Sequence, residues 1–222
     1  ALLHDVGMIG LPDEMTVEER AAIGREASAA VLLAMNPASS EVAWTRPSGF
    51  YSGSGLLSTR GNLLFQGDLD GKFFALAADS GEELWSHDVQ GGVMASPITY
   101  ELDGEQYVAV AQGWGGETGL PFGALTSPMN MVNISRVLVY KLGGKAELPR
   151  IELAEQALPE HGLPAASAET VAEGRGLYGL YCGVCHGGNA ISGGLVPDLR
   201  YRVGDLDAAW QAIVIDGGLR TN

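Results

Sequence analysis

Cys182, Cys185 and His186 are the residues whose types and spacing name a chemistry most directly. They fall in the run Tyr-Cys-Gly-Val-Cys-His-Gly-Gly at 181–188, and the 222 residues contain no other cysteine. Two thiols three positions apart, with an imidazole directly after the second, form the attachment pattern of c-type haem. Each sulfur adds to a vinyl group, and the histidine then lies under the iron as an axial ligand. Both sulfurs and the ring must come from one turn of chain, which is why the spacing matters. Two other readings are weaker. A structural zinc site needs more thiols or imidazoles, and nothing suitably spaced follows. A thioredoxin-type redox pair would end a βαβ unit, and no such pattern precedes the motif.

The flanking residues suit a haem pocket. Gly174 and Tyr178 precede Cys182 at helical spacing, on one face of a helix expected from about Glu169 to Tyr181. In the run Pro-Asp-Leu-Arg at 197–200, Pro197 can offer its carbonyl to the ring N–H of His186, and Arg200 can meet a haem propionate. A second helix is expected from about Leu206 to Ile215, with Asp205 as its cap. No Met or His follows His186, so the sixth iron ligand is expected beyond Asn222.

The rest of the chain must position this turn. With 46% hydrophobic residues it can bury a sizeable core, and its longest apolar runs are broken by Gly, Pro or charge well short of a membrane span. A net charge of −14 repels nucleic acid. Thr16 with Glu19 three residues on reads as the start of a short helix within segment 1–28. From Ala29 short strand-like runs are separated by turn signals such as Leu-Asp-Gly and Asp-Ser-Gly-Glu, as in an all-β domain of hairpins. The 32 glycines fit a chain that turns back often.

An internal repeat sharpens this reading. Residues 34–44 (AMNPASSEVAW) align without gaps on 75–85 (ALAADSGEELW), at an offset of 41 residues. A repeat of that length with four strands per unit is the mark of β-propeller blades, with Trp44 and Trp85 filling the gaps between neighbouring blades as core residues. A β-sandwich with two chance Trp-ended hairpins is the alternative. Blades are expected over 29–145, a Pro-rich linker across the surface over 146–168, and a small α domain over 169–222.

The runs LSTRGNLLFQGDLDGKFFALAADSGEELW (57–85), GGVMASPITYELDGEQYVAVAQGWGG (91–116) and SRVLVYKLGGKAELP (135–149), with GLYGLYCGVCHG and PDLR, make the chain resemble the PQQ-dependent quinohaemoprotein alcohol dehydrogenases. The resemblance covers about Val31 to Asn222. It implies a mainly β fold: the last blades of an eight-bladed quinoprotein-type propeller, followed by an α-helical class I cytochrome c domain that is incomplete here. It also implies PQQ and a calcium or lanthanide ion on the propeller axis, oxidation of a small alcohol there, and electron exit through haem c. An external acceptor follows, a small copper protein, a cytochrome or a quinone, in the periplasm and with membrane-associated cytochrome subunits as one arrangement.

By the same resemblance, Met94 and Ala95 touch the PQQ edge, and Trp44 and Trp85 dock blades. The base and metal ligands are expected before Ala1, so no catalytic residue is assigned here and the chain alone is expected to be inactive and to aggregate. Three departures from the family pattern bear on the geometry. Ser40 stands where the repeat has Gly81, Asn36 and Ala77 stand where the hairpin has Asp, and FYSGSG (50–55) replaces an aromatic and Asn-Gly-Gly segment. A propeller that only positions an electron-transfer cytochrome, or a cytochrome with an accessory β domain, are the other functions this pattern allows.

Overall fold

A computed structural model describes residues 30–48, 53–113, 134–151, 157–160, 164–187, 190–192, 196–201 and 211–215, with Thr16, Glu19, Ala22 and Gly217 singly. At the N-terminal end, Thr16 N–H donates to Glu19 Oε2 at 2.7 Å, and Glu19 N–H donates to Thr16 Oγ1 at 3.2 Å. This reciprocal pair is a capping box, and Glu19 and Ala22 are helical.

Among the described residues nine strands follow: β1 (Ala30–Met35), β2 (Val42–Ser48), β3 (Leu56–Ser58), β4 (Leu63–Gly67), β5 (Lys72–Ala77), β6 (Glu83–Asp88), β7 (Ile98–Leu102), β8 (Glu105–Gln112) and β9 (Arg136–Lys141). They form three sheets in chain order, β1-β2, β3-β4-β5-β6 and β7-β8-β9, with every neighbouring pair antiparallel. The middle sheet is a four-stranded meander, and the mainly β, propeller-type organisation is that of successive blades.

The repeat holds at the level of single hydrogen bonds. Asn36 N–H donates to Glu41 O and Ala77 N–H to Glu82 O; Ser40 N–H donates to Asn36 O and Gly81 N–H to Ala77 O, each 2.8–2.9 Å. Both hairpins also slip register at the same place, at Ala34/Met35 and Ala75/Leu76. The backbone at the turn is left-handed in both copies, with φ +60° at Ser40 and +74° at Gly81. The departure at Ser40 therefore leaves the turn unchanged. Asn36 supports it by accepting from Ala38 and Ser39 N–H through Oδ1.

Trp44 crosses to the next sheet, where its Nε1 donates to Ala78 O at 3.0 Å and its ring lies over Gly81. Trp85 makes the corresponding step onto the third sheet, edge-on to Tyr140 with centroids 5.3 Å apart. Trp85 differs from the core placement expected of it: it is 41% exposed, although its ring meets Phe73, His87 and Tyr140.

Strand β5 reads Phe-Phe-Ala-Leu-Ala and is buried at every one of these positions. Alternation is lost because the middle sheet is packed on both faces. Phe73 stacks on Tyr140 of β9, while Arg46 of β2 lies over the Phe74 ring and pairs with Glu83. Phe73, Val89, Val93, Val110 and Leu138 form the core between the second and third sheets, with Leu148 packed against it from beyond β9. The β7-β8 hairpin turns through Asp103 and Gly104, both with positive φ, the two-residue turn whose twist suits paired strands.

A cleft of about 200 Å³ opens beside β4 and β5, lined in part by Arg46, Gln66, Asp68 and Lys72. Burial pushes the Asp68 carboxyl up to about 6, with the nearby Asp70 charge adding to the rise and the bond from Lys72 N–H opposing it. Because the folded value lies above the ordinary 3.8, this group's contribution to stability is fully present below about pH 4 and is lost as the pH rises through about 6.

Two measurements on the intact protein test this account. Asp68→Asn keeps the Oδ1 acceptor and removes the buried charge, so it should melt higher than the parent at pH 7.5, by on the order of 1 kcal/mol, with the gap closing at pH 4. A Cβ at Gly81 would sit 2.7 Å from the Trp44 ring at a left-handed φ. Gly81→Ala should therefore cost about 2 kcal/mol, whereas Ser40→Gly should shift stability by less than about 1 kcal/mol.

Candidate haem-binding turn and propeller loop

Helix α1 (Ala168–Tyr181) is capped by Ser167, whose Oγ accepts from Thr170 N–H at 3.1 Å, and Glu169 stands in the first turn where the helix dipole favours it. The helix ends where Cys182 N–H donates to Tyr178 O at 2.8 Å, and the chain turns at once into α2 (Gly183–His186). Cys185 and His186 N–H both return to Cys182 O, at 3.1 and 2.9 Å. Both thiols and the imidazole therefore project from one tight turn. Neither cysteine is in a disulfide; Cys182 is half-buried and Cys185 exposed. Buried Gly187, with φ +78°, ends the turn.

His186 Nδ1 lies 3.0 Å from Pro197 O. A carbonyl can only accept, so Nδ1 carries the hydrogen and Nε2 carries the lone pair, the form in which an imidazole binds a metal. Tyr178 O–H donates to Gly187 O at 2.8 Å, tying α1 to the far end of the turn. Burial, with smaller contributions from Cys182 and Asp198, pushes the Tyr178 hydroxyl up to about 12, so it remains a donor at neutral pH. Gly174, on the same helix, meets nothing within 4 Å of where a Cβ would stand.

Arg200, expected to meet a propionate, has a carboxylate partner two residues away: its Nε and Nη2 donate to Asp198 Oδ1 and Oδ2 at 2.9 and 2.7 Å. Asp198 itself was not singled out from the sequence. It also accepts from Ser192 N–H and Arg200 N–H, and so ties Ser192 to the turn at 196–201 that delivers Pro197 O. Burial works to raise the Asp198 carboxyl, but the Arg200 pairing and these backbone bonds together hold it below the usual carboxylate range. Its signal in the sequence is the Pro-Asp-x-Arg spacing, which permits a local two-pronged ion pair.

At Gln211–Ile215 a π-helical turn is present. Asp205 and Leu206, expected to start that helix, lie outside the described residues. Among the described residues α1 buries no side chain, and Leu177, Leu180, Tyr181 and Val184 present exposed apolar surface next to the thiols in sequence.

The second expected site is the loop between β6 and β7. Val93 N–H donates to Asp68 O at 2.8 Å, Ser54 Oγ donates to Val93 O at 2.7 Å, and Gly55 N–H donates to Met94 O at 3.2 Å. Met94 N–H reaches Gly113 O, and Gly113 N–H returns to Gly92 O. Met94 and Ala95 are thus half-buried on a loop fastened to the β4-β5 turn, to residues 54–55 and to the end of β8. Gln112, buried at the end of β8, donates through Nε2 to Val89 O and Gly91 O at 2.7 and 3.2 Å. Of FYSGSG, residues 50–52 lie outside the described residues. Among the described residues, no group of three or more His, Cys, Asp and Glu side chains could hold a metal ion.

Comparison with known proteins gives consistent relatives for the chain. Residues 25–108 match the family described as PQQ: glucose/ethanol/alcohol dehydrogenase, beta-propeller domain. The chain is 44% identical over 190 residues to quinohemoprotein alcohol dehydrogenase ADH IIB of Pseudomonas putida, covering 85% of this chain and 28% of that one. It is 36% identical to the 1-butanol dehydrogenase (cytochrome c) of Thauera butanivorans, covering 84% of this chain and 26% of that one. The solved structure of quinohemoprotein alcohol dehydrogenase ADHIIG from Pseudomonas putida HK5 superimposes with a TM-score of 0.74 at 38% identity, covering 90% of this chain and 29% of that one. The chain thus spans a little over a quarter of the length of these relatives, and over most of its own length it is similar to quinohemoprotein alcohol dehydrogenases, with a PQQ beta-propeller domain match at residues 25–108.

Proposed function

We propose that the protein bearing this chain oxidises an alcohol to an aldehyde in a PQQ-containing propeller, and passes the electrons to a haem c held by Cys182, Cys185 and His186. The observation that carries the haem assignment is the 3.0 Å contact between His186 Nδ1 and Pro197 O, beside two unbridged thiols on one turn. It fixes the tautomer an iron ligand needs. The names of the relatives, which pair alcohol dehydrogenase with haemoprotein or cytochrome c, support the alcohol half.

The turn fits haem in three respects. The thiols and imidazole share one turn, the apolar surface at Leu177, Leu180, Tyr181 and Val184 suits a porphyrin face, and the Tyr178–Gly187 bond holds the turn closed. Haem supplies one-electron storage at a potential set largely by its axial ligands and their hydrogen bonds. The chain's own contribution is to hold His186 in one tautomer and one orientation through Pro197, with Asp198 and Arg200 shaping the loop that does so.

For PQQ, the described residues supply only a wall of the site, with Met94 and Ala95 against its edge. No proton-abstraction step falls to them, and the base and the calcium or lanthanide ligands belong to blades outside this chain. Trp44 and Trp85 are docking residues in this reading, not catalytic ones. The periplasm, an external acceptor such as a copper protein, cytochrome or quinone, and association with membrane cytochrome subunits complete the proposal.

Expression of the full-length protein with cytochrome maturation tests it. Haem should survive denaturing electrophoresis in the parent and be lost in Cys182→Ala/Cys185→Ala. His186→Ala should keep covalent haem but lose the low-spin spectrum. With PQQ and metal bound, a small alcohol should raise the reduced haem band near 550 nm. A mature protein without covalent haem would overturn the cytochrome assignment, and covalent haem that no alcohol reduces would favour the non-catalytic scaffold.

A further inference from the structure

The linker after β9 is fastened at a specific point. Leu148 packs against the core cluster that contains Val89 and Val93, Arg136 Nη2 donates to Pro149 O at 3.4 Å, and Ile151 N–H donates to Gln90 Oε1 at 3.0 Å. Gln90 belongs to the loop that carries Met94 and Ala95. It stands in a left-handed backbone, φ +65°, with its own N–H on Asp88 Oδ1 at 2.9 Å. Its neighbours Val89 and Gly91 are held through their carbonyls by buried Gln112. A side chain on a doubly anchored, conformationally specified loop thus captures a backbone donor from the segment that leads to the haem turn.

We propose that Gln90 is a positioning residue for electron transfer, latching the start of the linker to the propeller loop and so setting where the haem-bearing segment is tethered. The inference rests on the reading of haem at Cys182, Cys185 and His186. With the latch closed, the tether to α1 begins at Ile151; open, it begins at Pro149, which Arg136 still holds, so the intervening chain changes only from 16 residues to 18. That change in length alters the effective concentration of the two ends by only about 1.2-fold, and the latch acts chiefly by fixing the direction in which the chain departs. Arg136 and Leu148 brace the same stretch, and Gln90 adds a hydrogen bond from it to the loop beside Met94.

The test uses the full-length holoenzyme with two variants. Gln90→Asn keeps a residue that tolerates the left-handed backbone, but its amide is one methylene too short to reach Ile151, whereas Gln90→Glu retains an acceptor at the same reach. Stopped-flow reduction of the haem by alcohol should slow by about 1.2-fold or more in Gln90→Asn and recover in Gln90→Glu. Turnover with a small phenazine dye that takes electrons at the propeller cofactor should stay unchanged in both variants. Amide hydrogen exchange of the peptide spanning 148–151 should quicken in Gln90→Asn alone. Haem reduction at the parental rate in Gln90→Asn, or the same slowing in dye turnover, would overturn the positioning role. Absence of alcohol-driven haem reduction in the parent would instead overturn the functional reading on which it rests.

Discussion

The missing side chain at Gly67 is the constraint on which the arrangement of both sites depends. A Cβ there would lie 2.3 Å from Val93 Cβ, so only glycine lets the loop after β6 come this close to β4. That approach buries Val93 completely and puts its N–H on Asp68 O. Val93 can then stand in one core with Phe73, Val110 and Leu138, and the residues that follow it, Met94 and Ala95, are delivered to a fixed position. The same loop gains its second anchor from Gln112 and its contact with the linker from Gln90. One close backbone approach therefore couples the packing of two sheets to the course of the chain toward the haem turn.

Docking between sheets follows one rule applied twice. The last strand of each sheet carries an aromatic ring that reaches the next: Trp44 onto Ala78 and Gly81, and Trp85 onto Tyr140. The interfaces differ in chemistry. The first is completed by a cation over an aromatic face and an ion pair, from Arg46 to Phe74 and Glu83. The second is an aromatic cluster in which His87 Nδ1 also meets Tyr140 Oη at 3.0 Å. Burial pushes the Tyr140 hydroxyl up to about 12, so this contact joins a neutral phenol to an imidazole across the sheets.

The repeat was legible in the sequence because turn chemistry is local: Ser39 and Glu41 recur as Ser80 and Glu82 with the same serine contact, and the backbone bonds at Asn36 and Ala77 coincide although only Asn36 adds a side-chain acceptor. The strands with continuous apolar runs, β4, β5 and β9, were legible for a similar reason. Strand β3 carries no period of its own, because Leu-Leu-Ser is too short for one. Strand β7, Ile-Thr-Tyr-Glu-Leu, is exposed throughout and takes its pairing from the Asp103-Gly104 turn. The exposure of Trp85 escaped because a ring's accessibility depends on how much of the neighbouring sheet covers it, which no local pattern encodes. In the haem-binding turn, the positions of the thiols and imidazole relative to one another follow from their spacing in the chain. The organising role of Asp198 does not, since it needs Ser192, Arg200 and Pro197 to be brought together by the fold of the loop.

That organising role bears on the electronic environment of the proposed iron site. Histidines that ligate metals pass their second ring hydrogen to a carbonyl or to a carboxylate, and a carboxylate makes the imidazole the stronger donor. Here both acceptors are adjacent in sequence, Pro197 O and the Asp198 side chain, and the loop assigns them separate work. Asp198 is committed on both oxygens to Arg200, so its charge is neutralised within two residues. The acceptor presented to His186 is the uncharged carbonyl. A neutral partner leaves the imidazole a weaker donor than a carboxylate would, which disfavours the oxidised, more positive iron and keeps the potential higher. For the proposed haem, which would draw electrons from a propeller cofactor, that is the useful direction. The Arg200–Asp198 pairing would thus tune such a haem through charge balance in the loop that supplies Pro197 O.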